Sequence, residues 1–264
     1  MSRQSSKIDY RDSHKASSTA ERYHERVYAE GSADDTIWTV ERRYLEDVIT
    51  RLVGRRKRYL DFACGTGRIL GFLSPRFETA CGVDISRAML DLARDANPGV
   101  ELKCGDITTN KDLTGSDYDL ITVFRFFLNA QPSLRDEVIK ILAERLSGQG
   151  IMIFNVHNSR PSFLWVQNYV TGLFTGRRKP SLSYNEAADL AARANLEIVE
   201  TYKTGVLPKC LHLLLRKKFW LALDGLLCRP QFLRKFASHV IYVCRYIKQD
   251  SAKDSDGDYC GSAE

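Results

Sequence analysis

The stretch Tyr59–Leu70, YLDFACGTGRIL, is an apolar run that closes on an acid and then breaks into alanine, threonine and glycines. It reads as a buried strand that turns tightly into a helix. A turn so stripped of side chains lets the backbone pass close beneath a ligand. A dinucleotide loop spaces its glycines G-x-G-x-x-G. Here Gly65 and Gly67 supply two of them, and Leu70 holds the third position. A loop that grips a nucleoside triphosphate needs Gly-Lys-Ser/Thr, which this stretch lacks.

Outward from this turn, strand-like and helix-like segments alternate. After RYLDF come a helix from GRILGFLS, a strand in FETACGVDI and a helix in SRAMLDLARDA begun by Ser86. VELKCGD and DYDLITVFRF read as strands. SLRDEVIKILAERL reads as a helix with Val138, Ile141, Leu142 and Leu146 on one face, and GIMIFNV as a fifth strand. This alternation predicts crossover units and a parallel sheet. Later, SFLWVQNYVTGLF reads as helical, Ser183 and Glu186 form a capping box for the helix NEAADLAARAN, and LEIVETYKTG and ASHVIYVCRYI read as strands. With no short helical crossover between them, these last two suit an antiparallel edge. Ahead of the turn, two helices are expected over 13–30 and 36–53, broken at Gly31-Ser32.

The third candidate ligand, S-adenosylmethionine, has an amino-acid end, a sulfonium, a ribose and an adenine. Asp61 closes the first strand, where a carboxylate can reach an ammonium, and Ala63, Gly65 and Gly67 clear the backbone beneath the ligand. Asp84 ends the second strand, 17 residues past Gly67, placed to accept from both ribose hydroxyls. Asp106 follows the third strand, placed to accept from an adenine amine. Ile85, Met89 and Ile107 are expected around the ring, and Phe124 beside the methyl donor. Three acids after three successive strands lie at one edge of the sheet, where such folds bind ligands.

DFACGTGR, GVDISRAML, CGDIT and DYDLITV, in that order, resemble the successive motifs of class I S-adenosylmethionine-dependent methyltransferases, over about residues 58–157. The flavour is that of the small-molecule branch, which includes quinone, sugar and lipid methyltransferases. Ala63 stands where many members carry glycine. The resemblance implies an α/β Rossmann-like sheet of seven strands, ordered 3-2-1-4-5-7-6 with strand 7 antiparallel and helices on both faces. It implies cofactor contacts at Asp61, Gly65, Gly67, Asp84 and Asp106, and a lid formed by the segment before the first strand. The expected organisation is an N-terminal helical lid (1–56), a methyltransferase domain (57–248) with a helical insertion at about 207–236, and a disordered tail (249–264).

Methyl transfer from a sulfonium has a good neutral leaving group, so no metal is required and none is expected. On the acceptor side, Arg125 and Asn129 follow the fourth strand. His157, just past the fifth, is offered as general base because histidine titrates near neutral pH. Tyr10, Tyr23, His24, Tyr28 and Trp38 of the N-terminal helices either wall an acceptor pocket, with Tyr10, Tyr23 and Tyr28 taken as substrate contacts, or pack those helices onto the sheet.

The 264 residues carry a net charge of +6, unevenly spread. Between Lys209 and Lys235 there are seven basic residues and one acid, Asp224. LHLLLRKKFWLALDGLL puts Leu211, Leu214 or Leu215, Phe219, Ala222 or Leu223, and Leu226 on one helical face, with Trp220 reading as exposed. Such a helix either packs over the active site with its lysines solvated or lies on an anionic membrane, the second favouring a lipid-linked acceptor and a peripheral contact through 211–236. RLVGRRKR at Arg51–Arg58 permits a nucleic-acid methyltransferase, but the strand-four segment lacks the Asn/Asp-Pro-Pro-aromatic motif that grips a flipped base, and the basic residues lack aromatic interleaving. A non-catalytic cofactor-binding subunit is a further alternative. The seven scattered cysteines include no Cys-x-x-Cys pair, which argues for a reducing cytoplasm and against a zinc site. Asp254-x-Asp256-Gly257-Asp258 has its glycine misplaced for a calcium loop.

Overall fold

The structure is a computed structural model that describes residues 32–157, 162, 165, 166, 169, 170, 172, 173, 181–207 and 216–247. Seven strands make one sheet: β1 (Arg58–Phe62), β2 (Thr79–Asp84), β3 (Glu101–Cys104), β4 (Tyr118–Val123), β5 (Leu146–His157), β6 (Leu196–Thr204) and β7 (His239–Tyr246). Their order is β3-β2-β1-β4-β5-β7-β6. β1 to β5 pair in parallel, and β7 runs antiparallel to both β5 and β6. This is the order the resemblance implies.

Helices cover both faces: α1 (Ala33–Leu52), α2 (Arg68–Leu73), α3 (Arg87–Ala96), α4 (Phe126–Asn129), α5 (Pro132–Ala143), α6 (Tyr184–Ala192), α7 (Lys217–Leu227) and α8 (Gln231–Arg234). All six residues of β4 are buried, as expected of a central parallel strand covered on both faces. Alternation divides the apolar residues between two cores. Leu60, Ile121, Met152 and Phe154 pack with α5 and α6. Tyr59, Leu120, Ile151 and Ile153 pack with α1 and α2.

The caps follow the sequence closely. Ser32 caps α1 through the amide of Asp35, and Ser86 caps α3. Both halves of the Ser183–Glu186 capping box are formed. Leu45, Val48 and Ile49 put the second half of α1 inside the core, so this part of the expected lid is a structural layer of the sheet. The helix expected at 13–30, residues 208–215 with Leu211, Leu214 and Leu215, and the tail from 248 lie outside the described residues.

Three expectations need correction. Leu146 belongs to β5, opposite Tyr118, and not to the preceding helix. α5 stops at Ala143, where the Arg145 guanidinium turns away to Thr114 Oγ1 and the carbonyls of Ile141 and Lys111. The segment FRF does not extend β4. Arg125 takes a left-handed φ of 63° and sends Phe126 and Phe127 into α4. Trp220 is 1% exposed, not on the surface. α7 is rolled so that the Asp224 carboxylate faces inward, accepting from the amides of Gly205 and Leu207 and the hydroxyl of Thr204. Phe219, Leu223 and Leu226 therefore face outward.

Part of the basic run at 51–58 is ion-paired within the molecule. Arg51 pairs with Asp47 and Glu200, and Arg55 with Asp117 and Asp119. Arg56 donates to the carbonyls of Val53 and Ile49, and Arg58 lies over the Tyr118 ring.

Candidate active site

Parallel pairing of β1 with β2, and of β2 with β3, brings Asp61, Asp84 and Asp106 to one edge of the sheet. Between β1 and α2 the chain folds back on itself: the Cys64 amide donates to the Val83 carbonyl and the Gly67 amide to the Cys64 carbonyl. Ala63, Gly65 and Gly67 all have positive φ. The two glycines are required for different reasons. A Cβ on Gly67 would lie 2.4 Å from Asn97 Nδ2, so this residue lets α2 close against α3. A Cβ on Gly65 would meet nothing within 4 Å and would project into the open cradle above the loop.

Asp84 shapes that cradle. Its Oδ2 accepts from the Gly65 amide at 2.8 Å and its Oδ1 from the Ser86 amide at 2.9 Å. A carboxylate offers about four lone-pair sites, a chemistry suited to accepting from a hydroxyl. Asp106 opens the loop after β3 with its Oδ1 accepting from the amide and hydroxyl of Thr108. Ile107 and Met89 are buried beneath this edge, Ile85 is half-buried, and Phe124 packs at the margin of the α1-side core.

Asp61 is set deeper than its position in the sequence implies. It is 1% exposed. Thr122 Oγ1 donates to its Oδ1 at 2.7 Å, so the neighbouring Tyr59 hydroxyl, 2.7 Å from Thr122 Oγ1, is the donor in that second bond. Asp61 Oδ2 is buried with no hydrogen-bond partner. Burial pushes the carboxyl up to about 7, against the opposing pull of the Thr122 hydroxyl and the Leu70 amide. A buried, unmet acceptor of this kind is what an ammonium donor satisfies. With the open cradle at Gly65 and the acceptor capacity of Asp84, the residues fit an amino-acid nucleoside.

A second polar group faces the same edge from the α1 side. Asn155 of β5 accepts from the Arg125 amide at 2.7 Å through Oδ1 and donates to Glu41 Oε1 of α1 at 3.4 Å. Glu41 is 2% exposed. Burial raises its carboxyl, offset by the positive charges of Arg125 and Arg68 and by the Asn155 amide. Arg125 also reaches Asp34, at 3.7 Å. Asn129, expected on a loop, ends α4 and donates its side-chain amide to the Arg125 carbonyl. The Arg68 guanidinium lies 5.0 Å from the centre of the Trp38 ring. His157, two residues past Asn155 and on the same face of β5, packs edge-to-face on His239, its cross-strand partner, with ring centres 4.9 Å apart. Tyr10, Tyr23, His24 and Tyr28 lie outside the described residues.

Glu41 and Asn155 escaped the sequence reading. Asn155 left a signal, a lone amide within the apolar run GIMIFNV. Glu41 left none, because it sits in a charged helix beside Arg42 and Arg43.

In the common dinucleotide-binding sheet the sixth strand simply extends the parallel order. Here an antiparallel β7 is inserted between β5 and β6, and the glycine loop lacks its third member. Those differences, with the cradle and its acids, resemble those of a class I S-adenosylmethionine-dependent methyltransferase domain. Residues 60–150 match the family model described as "Methyltransferase domain".

Among curated proteins, the chain is 30% identical over 106 residues to YqeM of Bacillus subtilis, assigned as a methyltransferase; the match spans 39% of this chain and 43% of that one. The magnesium protoporphyrin IX methyltransferase ChlM from Synechocystis PCC 6803, solved with bound SAH, superposes with a TM-score of 0.63 at 17% identity, over 90% of this chain and 98% of its own. An S-adenosylmethionine-dependent methyltransferase from Clostridium acetobutylicum gives 0.58 at 15% identity, over 88% and 98%. These structural likenesses are ones of fold.

Proposed function

We propose that this protein transfers a methyl group from S-adenosylmethionine to an oxygen or nitrogen of a small-molecule, glycan or lipid-linked acceptor. The observation that carries this reading is the enclosed polar group of Glu41, Asn155 and Arg125, facing the same strand edge as the Gly65 cradle. When bound, S-adenosylmethionine supplies a methyl carbon activated by its sulfonium. The chain's own work is then proximity and alignment, worth up to roughly 7–11 kcal/mol in favourable cases.

Asp84 holds the ribose end, and Asp61 meets the amino-acid end. Asn155 fixes the backbone of Arg125 at the end of β4, so the guanidinium is held between the cofactor edge and α1. Glu41 gives this side of the site an acceptor for a hydroxyl or amine hydrogen. His157, on the same face of β5, is the residue we assign to take the proton lost by an oxygen acceptor, a contribution of about 10²–10⁴-fold. The ion pairs of Arg51 with Asp47 and Glu200, and of Arg55 with Asp117 and Asp119, support a small acceptor over nucleic acid, since they take two cations out of the basic run.

Incubating the protein with methyl-labelled S-adenosylmethionine and panels of phenols, sugars, amines and prenylated lipids tests the reading. Labelled product together with S-adenosylhomocysteine is expected for one panel. Cofactor binding without turnover on any panel, alongside methylation of added RNA, would reverse it.

A further inference from the structure

The outward side of α7, with Phe232 of the short α8 that follows it, is apolar where a protein surface is ordinarily polar. Phe219 is 56%, Leu226 57% and Phe232 66% exposed, with Leu223 at 40%. Phe219, Leu223 and Leu226 share one helical face by their spacing, and Phe232 follows within the next helix. Scattered exposed hydrophobics need no explanation, but a contiguous face of large ones marks a contact surface.

The exposed charge within this segment has one sign. Arg216, Lys218, Arg229, Arg234 and Lys235 are all exposed. The only acid between 216 and 236 is Asp224, and it is buried under the helix. Lys218 Nζ lies 5.2 Å from the centre of the Phe219 ring, so cation and apolar surface are interleaved. The inward side is already occupied by Trp220 and Asp224, and Lys217 fastens the helix to Asp35 of α1 at 2.6 Å. The helix is therefore held with its apolar side out.

We infer that the outer face of α7–α8 docks on an anionic lipid surface, Phe219, Leu223, Leu226 and Phe232 entering the headgroup boundary while the flanking arginines and lysines meet lipid phosphates. Charge complementarity selects this occupant. A second copy of the chain would bring like charges together. The acidic segment after Lys248 could answer the charge, but its sequence carries few hydrophobes to cover two phenylalanines and two leucines. An anionic bilayer answers both at once. The inference does not depend on methyl transfer.

The test is co-sedimentation of the full chain with phosphatidylcholine vesicles, with and without phosphatidylglycerol, at low and high salt. Binding is expected only to the anionic vesicles, weakened by salt. F219S/F232S should weaken it by at least about tenfold, as loss of two inserted rings requires, and K218E/R229E should do likewise. All four positions are exposed, so the melting temperature and S-adenosylhomocysteine binding should hold in both variants. No binding to anionic vesicles, or equal binding of the variants, overturns the proposal. So does a dimer that F219S/F232S dissolves, or RNA binding lost in K218E/R229E while vesicles are ignored. Strong protection of Phe219 from hydroxyl radicals in lipid-free protein would assign the face to the chain's own segments instead.

Discussion

The Gly65 amide donates to the Asp84 carboxylate at 2.8 Å, so the loop after β1 is held by the residue that ends β2. One side chain thereby sets the shape of the cradle and presents acceptors to whatever enters it. Asp84→Asn keeps one oxygen acceptor and loses the charge. S-adenosylhomocysteine binding should weaken by about 10–100-fold, the usual range for losing a charged hydrogen-bond partner. Isothermal titration checks this; unchanged affinity would place the ribose elsewhere.

The two glycines of the loop should separate folding from binding. Gly67→Ala drives a methyl into Asn97 and Ala93 at an unfavourable φ, and should cost about 2–4 kcal/mol of stability. Gly65→Ala meets only open space and should cost about 1 kcal/mol for its positive φ, while cofactor binding falls at least tenfold. Thermal melts with and without S-adenosylhomocysteine distinguish the two; equal losses of stability would contradict the packing described.

Asp61 makes stability depend on pH in an unusual direction. Burial raises its carboxyl from 3.8 to about 7. Between those values the folded protein holds a proton that the unfolded chain has released. Stability therefore falls as pH rises through that window and is level above it. Asp61→Asn keeps an acceptor for Thr122 and removes this penalty, on the order of 4 kcal/mol at pH 8. Without cofactor, the Asp61→Asn protein should melt higher than wild type at pH 8 and converge with it near pH 4, while binding S-adenosylmethionine less tightly. A lower melting point at pH 8 would mean the carboxylate is ionised and satisfied.

His157→Ala should lower kcat at least about tenfold on an oxygen acceptor, with cofactor affinity retained. Glu41→Gln, which preserves the contact with Asn155, should raise the acceptor KM by more than it changes kcat. Near-normal turnover of the His157 variant would reduce that residue to packing against His239.

Asp224 is the structural counterpart of these site residues. Replacing it with alanine leaves two amides and a hydroxyl without their acceptor. A loss of about 2–4 kcal/mol is expected, measurable by urea unfolding.

The sheet was legible because its signals are local. Asp61 and Asp84 end apolar runs, Ser86 and Ser183 announce helices, and the motifs recur in a fixed order. What was missed depends on contacts distant in the chain. Leu146 looks helical by spacing, yet Arg145 ends the helix through Thr114 and Lys111, residues more than thirty positions away. Trp220 reads as exposed until Asp224 rolls the helix to reach Gly205 and Leu207. Glu41 is surrounded by charge in sequence and by Asn155, Arg125 and Arg68 in space.

The placement of β7 has a consequence for how the molecule is made. All of the ladder partners of β6 lie on β7, and β7 leaves the ribosome after it. Until residues 239–246 emerge, β6 has no strand to pair with and β5 carries a bare flank. A nascent chain can thus assemble the ligand-binding half early but must keep its far margin open, within reach of chaperones or wrong strands, until the last insertion seals it.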